Sequence, residues 1–62
     1  MVIDDINKLV GQTVTISITG RQVSGRLARI EARELVVVQG EKALRFAAGY
    51  CYKVIGNTIY SL

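Results

Sequence analysis

The sequence contains no histidine and no proline, and it has only one cysteine. It also lacks any apolar run long enough to cross a bilayer. Each absence removes a class of protein. A lone cysteine, Cys51, permits no internal disulfide, and without histidine it cannot build a zinc site. It also has no imidazole to activate it, so it reads as a small buried hydrophobe rather than a nucleophile. Asp4 and Asp5 are adjacent in sequence, so they cannot face each other as a catalytic pair. They read instead as charges at the start of a helix. No catalytic constellation emerges, and the expectation is a protein that is not an enzyme and uses no cofactor or metal. A membrane span needs roughly 18–20 consecutive apolar residues, and no segment reaches that. The opening "MVIDDINKL" carries two acids and no basic flank, which is unlike a signal peptide. The expected compartment is therefore reducing and cytoplasmic, with no membrane partner.

What is present is hydrophobic residue in quantity. Half of the 62 residues are apolar. A chain this short forms one domain at most and buries only about 60% of its unfolded surface. Small domains are usually stapled by disulfides, metals or oligomerisation. With the first two unsupported, association with copies of itself is the expected staple. The net charge of +3 leans mildly toward polyanionic partners.

Along the chain the hydrophobic period changes once. Ile3, Ile6, Leu9 and Val10 recur at helical spacing, which predicts a helix over about 2–10 ended by Gly11. From residue 12 the period is two. "TVTISIT" alternates Val14, Ile16 and Ile18 with hydroxyl residues, the pattern of a half-buried strand. In "VSGRLARIEA", Val23, Gly25 and Leu27 share one parity, and Ile30 breaks it. A bulge is expected near Ala28-Arg29, and a bend or close backbone approach at Gly25. "ELVVVQ" is apolar on both faces, as a central or helix-covered strand would be. "KALRFAA" puts Leu44 and Phe46 inward, and Gly49 breaks it. "YCYKVI" and "TIYSL" follow, joined by the hairpin pair Gly56-Asn57. The reading is mostly β: one short helix, then five or six bent antiparallel strands over about 12–62, at barrel size. All of residues 1–62 form a single domain.

Two stretches carry a family resemblance. The first Sm motif asks for apolar alternation, Gly, two residues, apolar, one residue, Gly, then apolar, two residues, apolar, acid. Val14, Ile16, Ile18, Gly20, Val23, Gly25, Leu27, Ile30 and Glu31 stand at those places. "VIGNTIYSL" resembles the second motif, with Gly56, Asn57 and Ile59 matching. The chain thus resembles the Sm-like (Lsm/Hfq) superfamily over nearly its whole length. The resemblance implies a five-stranded antiparallel barrel, with the last strand available to an intersubunit sheet. It also implies a homo-oligomeric ring of about five to seven copies, whose head-to-tail contact closes by rotation. Ile59, Tyr60, Leu62, Leu44 and Phe46 are then the interface residues, and RNA is the implied partner.

The resemblance is poorest in the family's RNA pocket. Ile55 replaces the arginine that precedes Gly-Asn. Glu31 and Glu34 replace the base-holding Asp and Asn, and Arg33 replaces a stacking aromatic. Tyr52-Lys53 only faintly matches the family's Tyr-Lys-His run. RNA binding would then rest on cations. Arg21, Arg26, Arg29 and Arg33 cluster within thirteen positions, four of the eight basic residues. Arg29, Arg33, Lys53 and Asn57 are the candidate RNA contacts. These arginines could equally be solvated residues partly neutralised by Glu31 and Glu34. Tyr50, Tyr52 and Tyr60 could stack bases or fill cores and interfaces. A different class fits the same strand pattern: a small barrel, similar to Src-homology-3-like domains, serving protein contacts or structure without nucleic acid.

Overall fold

A computed structural model describes residues 2–62; Met1 of the expected 1–62 domain lies outside the described residues. The helix α1 spans Val2–Asn7. It is followed by β1 (Thr13–Ile18), β2 (Arg21–Glu31), β3 (Glu34–Gln39) and β4 (Lys42–Ala47). A 3-10 turn at Ala48–Tyr50 leads into β5 (Cys51–Ile55), and β6 (Thr58–Ser61) ends the fold.

The helix is shorter than the 2–10 that its apolar spacing predicts. Beyond Asn7 the backbone tightens to i→i−3 bonds, with Leu9 N–H on Ile6 O and Val10 N–H on Asn7 O. Gly11, at φ +90°, then turns its N–H to Leu27 O at 2.7 Å. The second strand thus draws the chain away before another helical turn can form. Ile6 and Leu9 still reach the core together, whereas Ile3 and Val10, which share the apolar spacing, are exposed.

The six strands form one sheet in the order β4-β3-β2-β1-β6-β5. This corrects the expected five-stranded closed antiparallel barrel in three respects. The chain makes six strands, because the turn at Ala48–Tyr50 separates β4 from β5. The sheet is open, with β4 and β5 as its edges. β6 runs parallel to β1, pairing Ile16 with Ile59 and Ser17 with Tyr60, and antiparallel to β5. The last strand therefore lies inside the chain's own sheet, paired on both sides. It has no free edge to give to an intersubunit sheet; the free edges belong to β4 and β5.

The sheet is strongly bent, and two devices in β2 allow it. The β2–β3 register shifts between Leu27 and Arg29, which leaves Ala28 as the extra residue of a bulge. At Gly25 a Cβ would come within 2.6 Å of Val38 O and 2.8 Å of Val37 Cγ1, so only glycine lets the strands approach there. The concave side holds the core: Val14, Ile16, Leu27, Leu35, Val37 and Ile59, closed over by Ile6 and Leu9. α1 packs chiefly against β5.

"ELVVVQ" is apolar on both faces for a reason other than a covering helix. Leu35 and Val37 face the core, whereas Val36 is buried on the opposite side. Its ladder partners there are Arg29 and Arg45. Arginine stems can cover apolar surface while their charged heads stay in water, which fits a buried valine between two of them.

Candidate nucleic-acid interface

The β2–β3 turn comes first because it presents Arg33. Glu31 pairs with Glu34, leaving a two-residue loop of Ala32 and Arg33. Both adopt positive φ, at 51° and 60°. That is the type I′ hairpin conformation, usually left to Asn-Gly. Holding two L-residues there costs about 1–2 kcal/mol each, so the surroundings must enforce it. They do so by two means. Arg33 O accepts the Ala48 N–H at 2.8 Å, which ties the loop to the 3-10 turn. Arg45 donates to Glu31 Oε1 at 2.9 Å and Glu34 Oε1 at 3.3 Å, bridging the two acids that flank the loop. Arg29 completes the network, 3.2 Å from Glu31 Oε2. Hydrogen bonds from Arg29 and then Arg45 hold the Glu31 carboxyl below its ordinary value. Glu31, followed by its partner Glu34, likewise raises Arg45.

The candidate RNA residues thus separate. Arg29 is spent on Glu31 and stands opposite Val36 in the ladder. Arg33 is exposed and has no ion pair among the described residues; Arg21 and Arg26 share that state. Lys53 is exposed, with Nζ 4.7 Å from the centroid of the Tyr60 ring, in cation–π range. Asn57 is a structural tie. Its Nδ2 donates to Thr13 O at 2.9 Å and to Gln12 Oε1 at 3.4 Å, and its carbonyl accepts the Thr15 N–H. These bonds pin the β5–β6 hairpin to the start of β1.

The residues expected at a subunit interface also divide. Ile59 is fully buried in the chain's own core. Leu44 and Phe46 are half-buried on the edge strand β4, with Phe46 packed against the core. Tyr60 is half-buried on the convex face, and Leu62 is 73% exposed. Leu62 is accompanied by Tyr50, Tyr52 and Ile55, all more than half exposed. These three lie on or beside the β5 edge, and Leu62 N–H bonds Tyr50 O at 3.0 Å. An apolar rim therefore borders a free strand.

Two features have no signal in the sequence. One is a cleft of about 570 Å³ between α1 and the two loops, lined by Val2, Ile3, Arg33, Ala48, Gly49 and Cys51. Cys51 is half-buried at its wall, and burial pushes its thiol up against a smaller opposing pull from Ser61. It stays a protonated thiol at neutral pH, as a wall residue would. The other feature is a convex-face row. Gln22, Ser17, Tyr60 and Lys53 pair across β2, β1, β6 and β5 in turn, so their side chains share one face. Tyr52 joins them at a register shift in β5, its ring centroid 6.4 Å from that of Tyr60 at 45°. No apolar period announces that row, because it arises from cross-strand register rather than from spacing along the chain.

Comparison with known protein families, curated proteins and solved structures returns no match. The site therefore stands on its own residues. Among the described residues, no three His, Cys, Asp or Glu side chains converge as metal ligands. Among the same residues, no helix is long and apolar enough to cross a membrane.

Proposed function

We propose that this protein is a ring-forming, Sm-like subunit that binds RNA mainly through phosphate contacts and catalyses no reaction. The observation that carries the reading is Arg33. A positively charged side chain without a carboxylate partner among the described residues is held at the tip of a strained turn, against a network that consumes the neighbouring acids. Repeated around a ring, such a residue makes a belt of positive charge for a polyanion. Assembly is supported by the two unlike free edges of the sheet. β5 of one copy can add to β4 of the next, a head-to-tail contact that closes when the rotation permits. Lys53 and Arg26 extend the positive surface, while Arg29 and Asn57 support the fold around it. Ile55 leaves no guanidinium for a uridine pocket, so affinity comes from phosphates and sequence preference is shallow.

RNA binding measured across salt, on wild type and Arg33→Ala, tests this. Wild-type affinity falls steeply with salt. The variant binds all RNAs more weakly, and the slope of log K against log salt becomes shallower by about 0.7 for each phosphate that Arg33 neutralises. Its oligomeric state is unchanged. The β5 rim of Tyr50, Tyr52, Ile55 and Leu62 favours a second reading, a small bent sheet that serves protein contacts. Failure to bind any of several RNAs at low salt would leave that reading in place.

A further inference from the structure

We infer that the convex face of β2, β1, β6 and β5 is a stacking platform for the bases of a single-stranded nucleic acid, centred on Tyr52 and Tyr60. This rests on the RNA reading and adds to it a site away from Arg33 and its turn.

Three observations converge. The first is exposure. Tyr52 is 53% exposed, and Tyr60 is half-buried beside it on the solvent side of the sheet. Their centroids lie 6.4 Å apart with planes tilted by 45°, so they support each other and leave Tyr52 open to a further ring. The second is charge. Lys53 Nζ sits 4.7 Å from the Tyr60 centroid, so a cation adjoins the aromatic pair. β1, β5 and β6 contain no acid, and the only acid of β2 is Glu31, at its far end. Arg26 lies on the same face, opposite Thr13. The whole convex surface between Lys53 and Arg26 thus attracts phosphate and has no carboxylate to repel it.

The third observation is the floor. Gln22 and Ser17 continue the row from Tyr60, each strand about 4.8 Å from the next. The next row holds Ser24, Thr15 and Thr58, with the Ser24 and Thr15 hydroxyls 3.1 Å apart. Hydroxyls and an amide offer both donors and acceptors to base edges and sugars. An aromatic pair with an adjacent cation, on a polar floor without acids, is the combination that binds single strands by stacking. Ile55, opposite Thr58, also stands on this face and adds an exposed aliphatic side chain beside the rings.

The test compares a short oligo-uridine with an abasic ribose-phosphate strand of equal length, at low and moderate salt. Binding is followed by fluorescence anisotropy of the strand and by the protein's tyrosine emission. The uridine strand should bind about tenfold or more tightly than the abasic one and quench tyrosine emission. Tyr52→Leu keeps apolar bulk at an exposed position. It should abolish most of that difference while leaving the abasic strand's affinity unchanged. Tyr60→Phe, which keeps the ring, should retain the difference. Equal binding of both strands by the wild type would overturn the platform and leave the phosphate reading intact. Binding of neither strand would overturn the RNA reading and the platform with it. Equal loss of both strands in Tyr52→Leu, with an unchanged melting profile, would assign Tyr52 a part in assembly and overturn its role in stacking.

Discussion

Single residues hold this small sheet in shape, and the sharpest case is Gly25. It faces Val14 across the ladder and lies where β3 crosses closest. Gly25→Ala forces a Cβ against a backbone oxygen at 2.6 Å, which no side-chain rotation can relieve. The expected cost is about 1–3 kcal/mol. For a domain of this size that lowers Tm by at least about 4 °C, read by circular dichroism. Glu31 acts through charge. Its carboxyl is held below the ordinary 4.5 by Arg29 and Arg45, so its folded value lies beneath its unfolded one. Its contribution is present above the unfolded value and is lost as pH falls through the folded one. Glu31→Gln should therefore lower Tm at neutral pH, and the gap to wild type should close in acid. The effect is small, because the network is exposed and screened. A gap that persists below the carboxylate range would point to packing over Val36 instead. Both residues are visible in the sequence, to different depths. Gly25 breaks a strand pattern, and that already implies close approach. Glu31 looks like an RNA-pocket substitution, and nothing local reveals that Arg45, fourteen residues on, binds it.

Among the elements, β6 has the role least expected from its position. It is the last strand, yet it lies between β1 and β5 and carries Ile59 into the core. Deleting residues 58–62 strips β1 of a neighbour and detaches β5 from the sheet. The truncated chain should lose its cooperative thermal transition, and with it any assembly. A truncated chain that melts cooperatively near the wild-type temperature would contradict this topology. β1 is legible from its clean period of two, β3 from its continuous apolar run, and the β2 bulge because Ile30 breaks the parity. The parallel β1–β6 pairing is not. Pairing between strands distant in sequence leaves no trace in the period of either. The helix end is hidden for a related reason: Leu27 O, not a local cap, takes the Gly11 N–H.

At the scale of the molecule, the structure leaves two edges unpaired and borders one of them with exposed Tyr50, Ile55 and Leu62, while Tyr52 stands beside Tyr60 on the convex face. Natural proteins usually blunt such edges with charge, proline or a covering loop. β5 has neither acid nor proline and only Lys53 as a charge. The small core has no disulfide to support it, and the exposed rim is the surface a neighbouring copy would bury. Pairing β5 with β4 of a neighbour satisfies both edges at once in a closed ring, leaving the Arg33 turns repeated around the assembly. Native mass spectrometry at micromolar protein tests this most directly. The account predicts one closed species of about five to seven copies, with no folded monomer in equilibrium beside it. A folded, monodisperse monomer at that concentration would contradict it.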